Sequence, residues 1–221
     1  MVAVMCRRHT PPPSAAARAG RPGRPRSAAA DTAILEATRA ALVELGWSKL
    51  SMGDVAARAG VAKTTLYRRW AGKNELVVDA VAVLFDELEL PDRGSLAADV
   101  EGVVRQFAAL LERPEAKTAL MAVVAESTRD EPLRERIRAS IVDRQKRLVL
   151  EGRARAQARG ELPVPADDRA DAAGAADDLV FDVIAGTVVH RALVSGQPVD
   201  GEWVRRFTAL LLGGLGAAAY D

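Results

Sequence analysis

From Asp31 onward, apolar residues recur at helical spacing along most of the chain. Ile34, Leu35, Thr38, Leu42 and Leu45 share one face of a first helix. Asp31 suits its positive end and Gly46 its close. Ser51 opens a second, short helix, and Asp54 stands three residues on, the spacing of a capping box. Val55 and Ala56 give it a small buried face. Ala59-Gly60 breaks it, because Gly60 can take the left-handed backbone of a sharp turn. The spacing predicts a third helix over 63–70, with Leu66 and Trp70 inward. A fourth spans 74–88, a fifth 96–111 and a sixth 115–129, divided by Pro91, Gly94 and Pro114. Pro132 opens a long seventh helix over 132–159, with Ile137, Ile141, Leu148 and Ala156 inward.

The eighth helix, over 168–195, is acidic at its start and apolar nearly all round in its second half. Leu179, Val180, Val183, Ile184, Val188, Val189 and Leu193 make more than one apolar stripe, so two of its sides need cover. One cover is the chain's own core and the other a partner subunit. A last helix over 201–218 brings Val204, Phe207, Leu211 and Leu215 together. No stretch reads as a strand. The expected fold is all-α, with about nine helices: a three-helix amino-terminal head and a larger carboxy-terminal bundle.

Composition changes this picture little, and charge changes it more. The chain is 28% charged and 4% aromatic with a formal net charge of +1. Residues 1–80 carry a net charge of +7 and residues 81–221 one of −6. A basic first third implies a polyanionic partner there. Residues 1–27 hold five prolines, six arginines and no acid, and read as a disordered basic arm. Arg24 and Arg26 lie in Gly20-Arg21-Pro22-Gly23-Arg24-Pro25-Arg26, an extended strip suited to a narrow A·T minor groove or to a nonspecific tail. The single cysteine, Cys6, has no partner for a disulfide within the chain. With no apolar run long enough to span a membrane and no secretory signal, a cytoplasmic protein is expected.

Residues 31–76 resemble the amino-terminal domain of the tetracycline-repressor family of bacterial regulators. Ala33-Ile34-Leu35, Gly46-Trp47, Ser51, Val55-Ala56, Ala59-Gly60-Val61, Thr65-Leu66-Tyr67, Lys73 and Glu75-Leu76 carry the resemblance. Arg159-Gly160-Glu161-Leu162 and Leu193-Val194-Ser195-Gly196 resemble one common carboxy-terminal variety of that family. A helix-turn-helix enters the major groove of double-stranded DNA with the start of its second helix leading. Here that start is Ala62, Lys63, Thr64 and Thr65. Lys63 can donate to guanine, and a threonine can bond a base edge or touch a thymine methyl. Arg68 can reach a base or a phosphate. Ser51 and Lys73, at helix starts, suit phosphates, though Ser51 also serves as a simple cap. The resemblance implies a phosphate for Tyr67. Ala62 and Thr64 depart from the family pattern, which often has serine and glycine there; the departures bear on the target sequence and not on the binding.

The rest of the chain carries no nucleotide loop, metal-spaced His/Cys cluster or serine elbow. Neither an enzyme nor a cofactor or metal site is expected. His190 reads as an interior or interface histidine, or as a ligand contact. The resemblance implies a homodimer through the last two helices and an effector pocket among helices four to eight. Ile184, Val188, Phe207 and Leu211 are the expected interface. Phe85, Phe107, Met121, Val124, Gln145 and Phe181 are pocket candidates, each also a plausible core residue. Gln145 stands out as neutral and polar on a charged helix. The expected domains are 28–76 for DNA and 77–221 for ligand and dimerisation. The expected function is a ligand-responsive repressor on a palindromic operator, released by a small apolar effector. The alternative is a DNA-binding dimer or scaffold with no effector.

Overall fold

A computed structural model describes residues 28–164 and 170–218. Among them are nine helices and no strand. The head holds α1 (Ala28–Lys49), α2 (Met52–Arg58) and α3 (Lys63–Tyr67). The body follows with α4 (Lys73–Phe85), α5 (Leu96–Glu112) and α6 (Pro114–Ser127). Then come α7 (131–158), α8 (170–194) and α9 (Gly201–Ala218). No helix among the described residues is long and apolar enough to cross a membrane.

Two of the long helices are not uniform. α7 contains a π-turn at Arg138–Val142, and α8 ends in one at His190–Val194. Gly46, at φ 73°, interrupts α1 three residues before its end. α3 stops at Tyr67, short of the expected Trp70. Arg69 N–H turns back to the Leu66 carbonyl at 2.8 Å, a tighter bond than α-helix makes.

One buried cluster runs from Ile34 in α1 to Leu211 in α9. α1 packs on α2, α4 and α6, while α5 lies against α6, α7, α8 and α9. α4 therefore belongs to both halves, straddling the boundary expected at residue 76. Asp130 binds α4 to α7: one carboxylate oxygen accepts Leu133 N–H at 3.0 Å, capping α7, and the other accepts Asn74 Nδ2 at 2.8 Å.

The burial of α8 and α9 corrects the expected interface. Val188, Phe207 and Leu211 lie inside the chain's own core, while Ile184 is half-buried and keeps part of its surface outward. Among the described side chains, the large outward apolar residues of these two helices are Leu179, Val183 and Val194 on α8 and Leu210 on α9, the last 76% exposed. A helix that is apolar on both sides hides from its sequence which side faces in.

Candidate nucleic-acid interface

The turn between α2 and α3 is built by Gly60. Its φ of 65° lets Val61 N–H reach back to the Ala56 carbonyl at 3.0 Å. α2 then packs Met52, Val55 and Ala56 inward, and α3 contributes Leu66. Trp70 is buried just past α3. With Leu66 as its single buried residue, α3 presents Ala62, Lys63, Thr64, Tyr67 and Arg68 to the exterior and leaves Thr65 half-buried. Tyr67 is 55% exposed. Ala62 caps α3 without a side-chain hydrogen bond, as a residue lacking a hydroxyl must.

Ser51 and Asp54 form the capping box. Asp54 N–H donates to Ser51 Oγ at 3.2 Å, and Ser51 N–H donates to Asp54 Oδ2 at 3.1 Å. Ser51 Oγ also donates to Asp54 Oδ2 at 2.5 Å. That hydrogen bond is the main cause that holds the Asp54 carboxyl below its usual range. The Ser51 hydroxyl proton is therefore engaged within the protein. Lys63 lies against this same first turn of α2, close beside Gly53.

Most head cations are tied into the fold. Arg58 pairs with Glu44 at 2.7 Å, Arg69 with Asp31, and Arg39 Nη1 donates to the Ala80 carbonyl at 3.1 Å. Lys73 Nζ donates to the Trp47 carbonyl at 2.9 Å and stands 4.8 Å from the centre of the Trp47 ring. It closes the carboxy-terminal end of α1, which Gly46 has turned toward it. This bond engages one of the ammonium's three donors. The side chains of Lys63 and Arg68, by contrast, are exposed and make no hydrogen bond or ion pair among the described residues. Lys63 and Arg68, with Lys49 at the end of α1, are thus the head cations left for an outside partner. Arg24 and Arg26 lie outside the described residues.

A polar chain runs from α3 into the body. Trp70 Nε1 donates to Asp79 Oδ2 on α4 at 2.8 Å, and Arg136 Nη2 on α7 donates to Asp79 Oδ1 at 2.9 Å. Glu75 accepts Ala71 N–H at 2.9 Å and lies 3.9 Å from Arg136 Nη1. Sequence reasoning missed this junction. Its only trace was an acidic pair, Glu75 and Asp79, one helical turn apart in an α4 that is otherwise apolar beyond Asn74.

In the body, Phe85 and Phe107 are buried with ring centroids 5.8 Å apart, and Phe181 is half-buried. Gln145 is buried as well. Met121 and Val124 instead sit on the outer side of α6, 42% and 46% exposed. An outward side chain lines no interior pocket, so these two leave the candidate set. His190 is exposed and stands 3.3 Å from Ser195 Oγ, on the outer side of α8 rather than inside.

The Arg159–Leu162 stretch is a clip. Arg159 Nη2 donates to buried Asp99 at 2.8 Å and Arg159 Nε pairs with Glu161. Glu161 in turn accepts Leu96 N–H at 2.6 Å, capping α5 beside Ser95. Burial raises the Asp99 carboxyl, but the Arg93 amide, Arg159 and Arg155 outweigh it and hold the group below its usual range. At the far end, Arg191 stands over the Trp203 ring at 4.9 Å, and Trp203 stacks on Phe207 at 5.1 Å.

Residues 34–80 match the family described as bacterial regulatory proteins of the tetR family. Residues 90–211 match the family described as tetracyclin repressor-like, C-terminal domain. The DNA-binding transcriptional repressor TetR of Mycobacteroides abscessus is 32% identical over 180 residues, 79% of this chain and 87% of that protein. The helix-turn-helix regulator YdeS of Bacillus subtilis is 27% identical over 188 residues, 83% of this chain and 88% of that protein. The crystal structure of the transcription regulator SCO0332 superimposes with a TM-score of 0.66 at 27% identity, covering 84% of this chain and 97% of that one.

Proposed function

The chain belongs to the tetracycline-repressor family of DNA-binding transcriptional regulators, and we propose that it is a ligand-responsive repressor. In this reading it binds a palindromic operator as a homodimer and leaves when a small apolar molecule enters the body. The observation that carries the DNA reading is the outward start of α3, where Lys63 and Arg68 stand unpaired beside exposed Tyr67.

The side chains divide by reach. Lys63, Thr64 and Thr65 lead into the major groove and read base edges. Tyr67, Arg68 and the first turn of α2 hold phosphates and set the register. At that turn the amides serve, because the Ser51 hydroxyl is already bonded to Asp54. Lys73 faces a phosphate only with the donors that Trp47 leaves free. Arg24 and Arg26 follow the adjacent minor groove.

Dimerisation pairs the outer sides of α8 and α9, where Leu179, Val183, Val194 and Leu210 stand exposed. Four apolar side chains gain most by meeting their own copies across a twofold axis. Two reading helices then meet successive major grooves about 34–36 Å apart.

The gating step is a population shift. Trp70, Asp79 and Arg136 tie α3 through α4 to α7. An effector that favours another seating of α7 tilts α4 and changes the spacing of the heads. It does so only by binding the two seatings unequally.

Selection of bound duplexes from random DNA tests this reading. The expected product is a palindrome with half-sites one helical turn apart or multiples of it, bound more weakly as salt rises. A single unrepeated half-site overturns the dimeric operator, and indifference to duplexes at low salt overturns the DNA reading.

A further inference from the structure

Gln145 is 4% exposed, and neither Nε2 nor Oε1 of its amide has a hydrogen-bond partner among the described residues. A primary amide offers two donors and an acceptor with two lone pairs. Folded proteins leave few such groups unmet, because desolvation is then uncompensated. An amide kept buried at that cost points to a partner from outside the chain.

Its neighbours on α7 fix where the side chain is aimed. Arg144 donates to Asp86 just past α4 at 2.6 Å, and Lys146 pairs with Asp178 on α8 at 2.7 Å. Successive residues of a helix lie about 100° apart, so Gln145 points midway between those two directions. That sector lies between the end of α4 and α8, and α5 packs against both α7 and α8. Along its own face of α7 the neighbours are apolar: Ile141 and Leu148, one turn to either side, are buried. Phe85, the residue before Asp86, pairs with Phe107 of α5.

We propose that Gln145 reads the polar group of the effector, and that the effector is a small, uncharged, largely apolar molecule carrying one carboxamide or lactam. The inference rests on the ligand-gated reading above and names the ligand's chemistry. An amide places an N–H beside a C=O, so it pairs with the Gln145 amide in two parallel hydrogen bonds and satisfies both atoms. A carboxylate accepts from Nε2 alone, leaves Oε1 unmet and brings a charge into an apolar setting. A pure hydrocarbon leaves both atoms as they are.

The test compares three probes with one hydrocarbon body: 3-phenylpropanamide, 3-phenylpropanoate and propylbenzene. Each is titrated calorimetrically into the full-length protein and into Gln145→Leu and Gln145→Met, with Tm followed in parallel. The full-length protein is expected to bind the amide about tenfold tighter than propylbenzene, with the carboxylate weakest. Both variants are expected to reverse the order of amide and hydrocarbon. Without probe, both are expected to melt above the parent protein, because they no longer bury an unmet amide. Equal binding of amide and hydrocarbon by the parent, or an amide preference that survives both substitutions, overturns the role of Gln145 while leaving the ligand-gated reading in place. A lower Tm in both variants overturns it too, since the amide then has partners already. Failure of all three probes to bind either form removes the ligand-gated reading together with this inference.

Discussion

At residue 53 a methyl group would meet Lys63 Cε at 2.8 Å and Nζ at 3.0 Å, both at the far end of a flexible side chain. Gly53 therefore seats Lys63 against the first turn of α2 without any demand on its own backbone. Gly53→Ala is expected to cost little stability, since Lys63 can swing aside, but to change operator recognition. Lys63→Ala separates the two roles open to this lysine. Loss of preference at one base position, by about 1–3 kcal/mol, marks a base contact. A uniform loss across all sequences marks a phosphate contact, and binding across a panel of single-base operator variants decides. The contribution of Gly53 was not readable from the chain, because a glycine at the second position of a helix carries no signal of what rests on it. The Ser51–Asp54 box was readable, because its two members are local and their spacing is the motif.

The same division holds for the helices. Their number and order were readable from apolar spacing, and so was the Gly60 turn, because a positive φ falls naturally to glycine. The π-turn in α7 left a fainter trace. Leu133, Ile137, Ile141 and Gln145 step inward by four residues three times running, slower than the 3.6-residue period of a regular helix. In α8 and α9 the spacing located apolar residues but not their direction. Two substitutions test the assignment that burial supplies. Leu210→Glu is expected to give folded monomers in ultracentrifugation with an unchanged Tm for each subunit's own unfolding. Phe207→Ala, inside the subunit and stacked on Trp203, is expected to cost about 3–5 kcal/mol of stability by denaturant titration. A Phe207→Ala protein that stays stable yet loses its dimer would return that residue to the interface.

For the molecule as a whole, contacts far apart in sequence decide how the halves act together. The Asp99 clip joins residues about sixty positions apart and holds α5 to the end of α7. The Asp99 carboxyl lies lower in the folded than in the unfolded chain. Its contribution is thus complete above the unfolded value, about pH 4, and fades as pH falls through the folded value. Asp99→Asn is expected to lower stability at pH 7 and to narrow its gap to the parent protein in denaturant titrations below pH 4. The Trp70–Asp79–Arg136 chain crosses from head to body, so coupling through it must run both ways. Operator binding is expected to alter amide exchange across residues 131–142, and Arg136→Met to confine the change to the head. Exchange that never reaches α7 in the parent protein refutes the route. The indole N–H of Trp70 is also one end of that chain, held by a carboxylate at 2.8 Å. Loosening the joint would shift and dim that indole's fluorescence. With Trp47 and Trp203 replaced by phenylalanine, the protein would carry its own unlabelled optical gauge, reporting in real time whether the head is engaged or released.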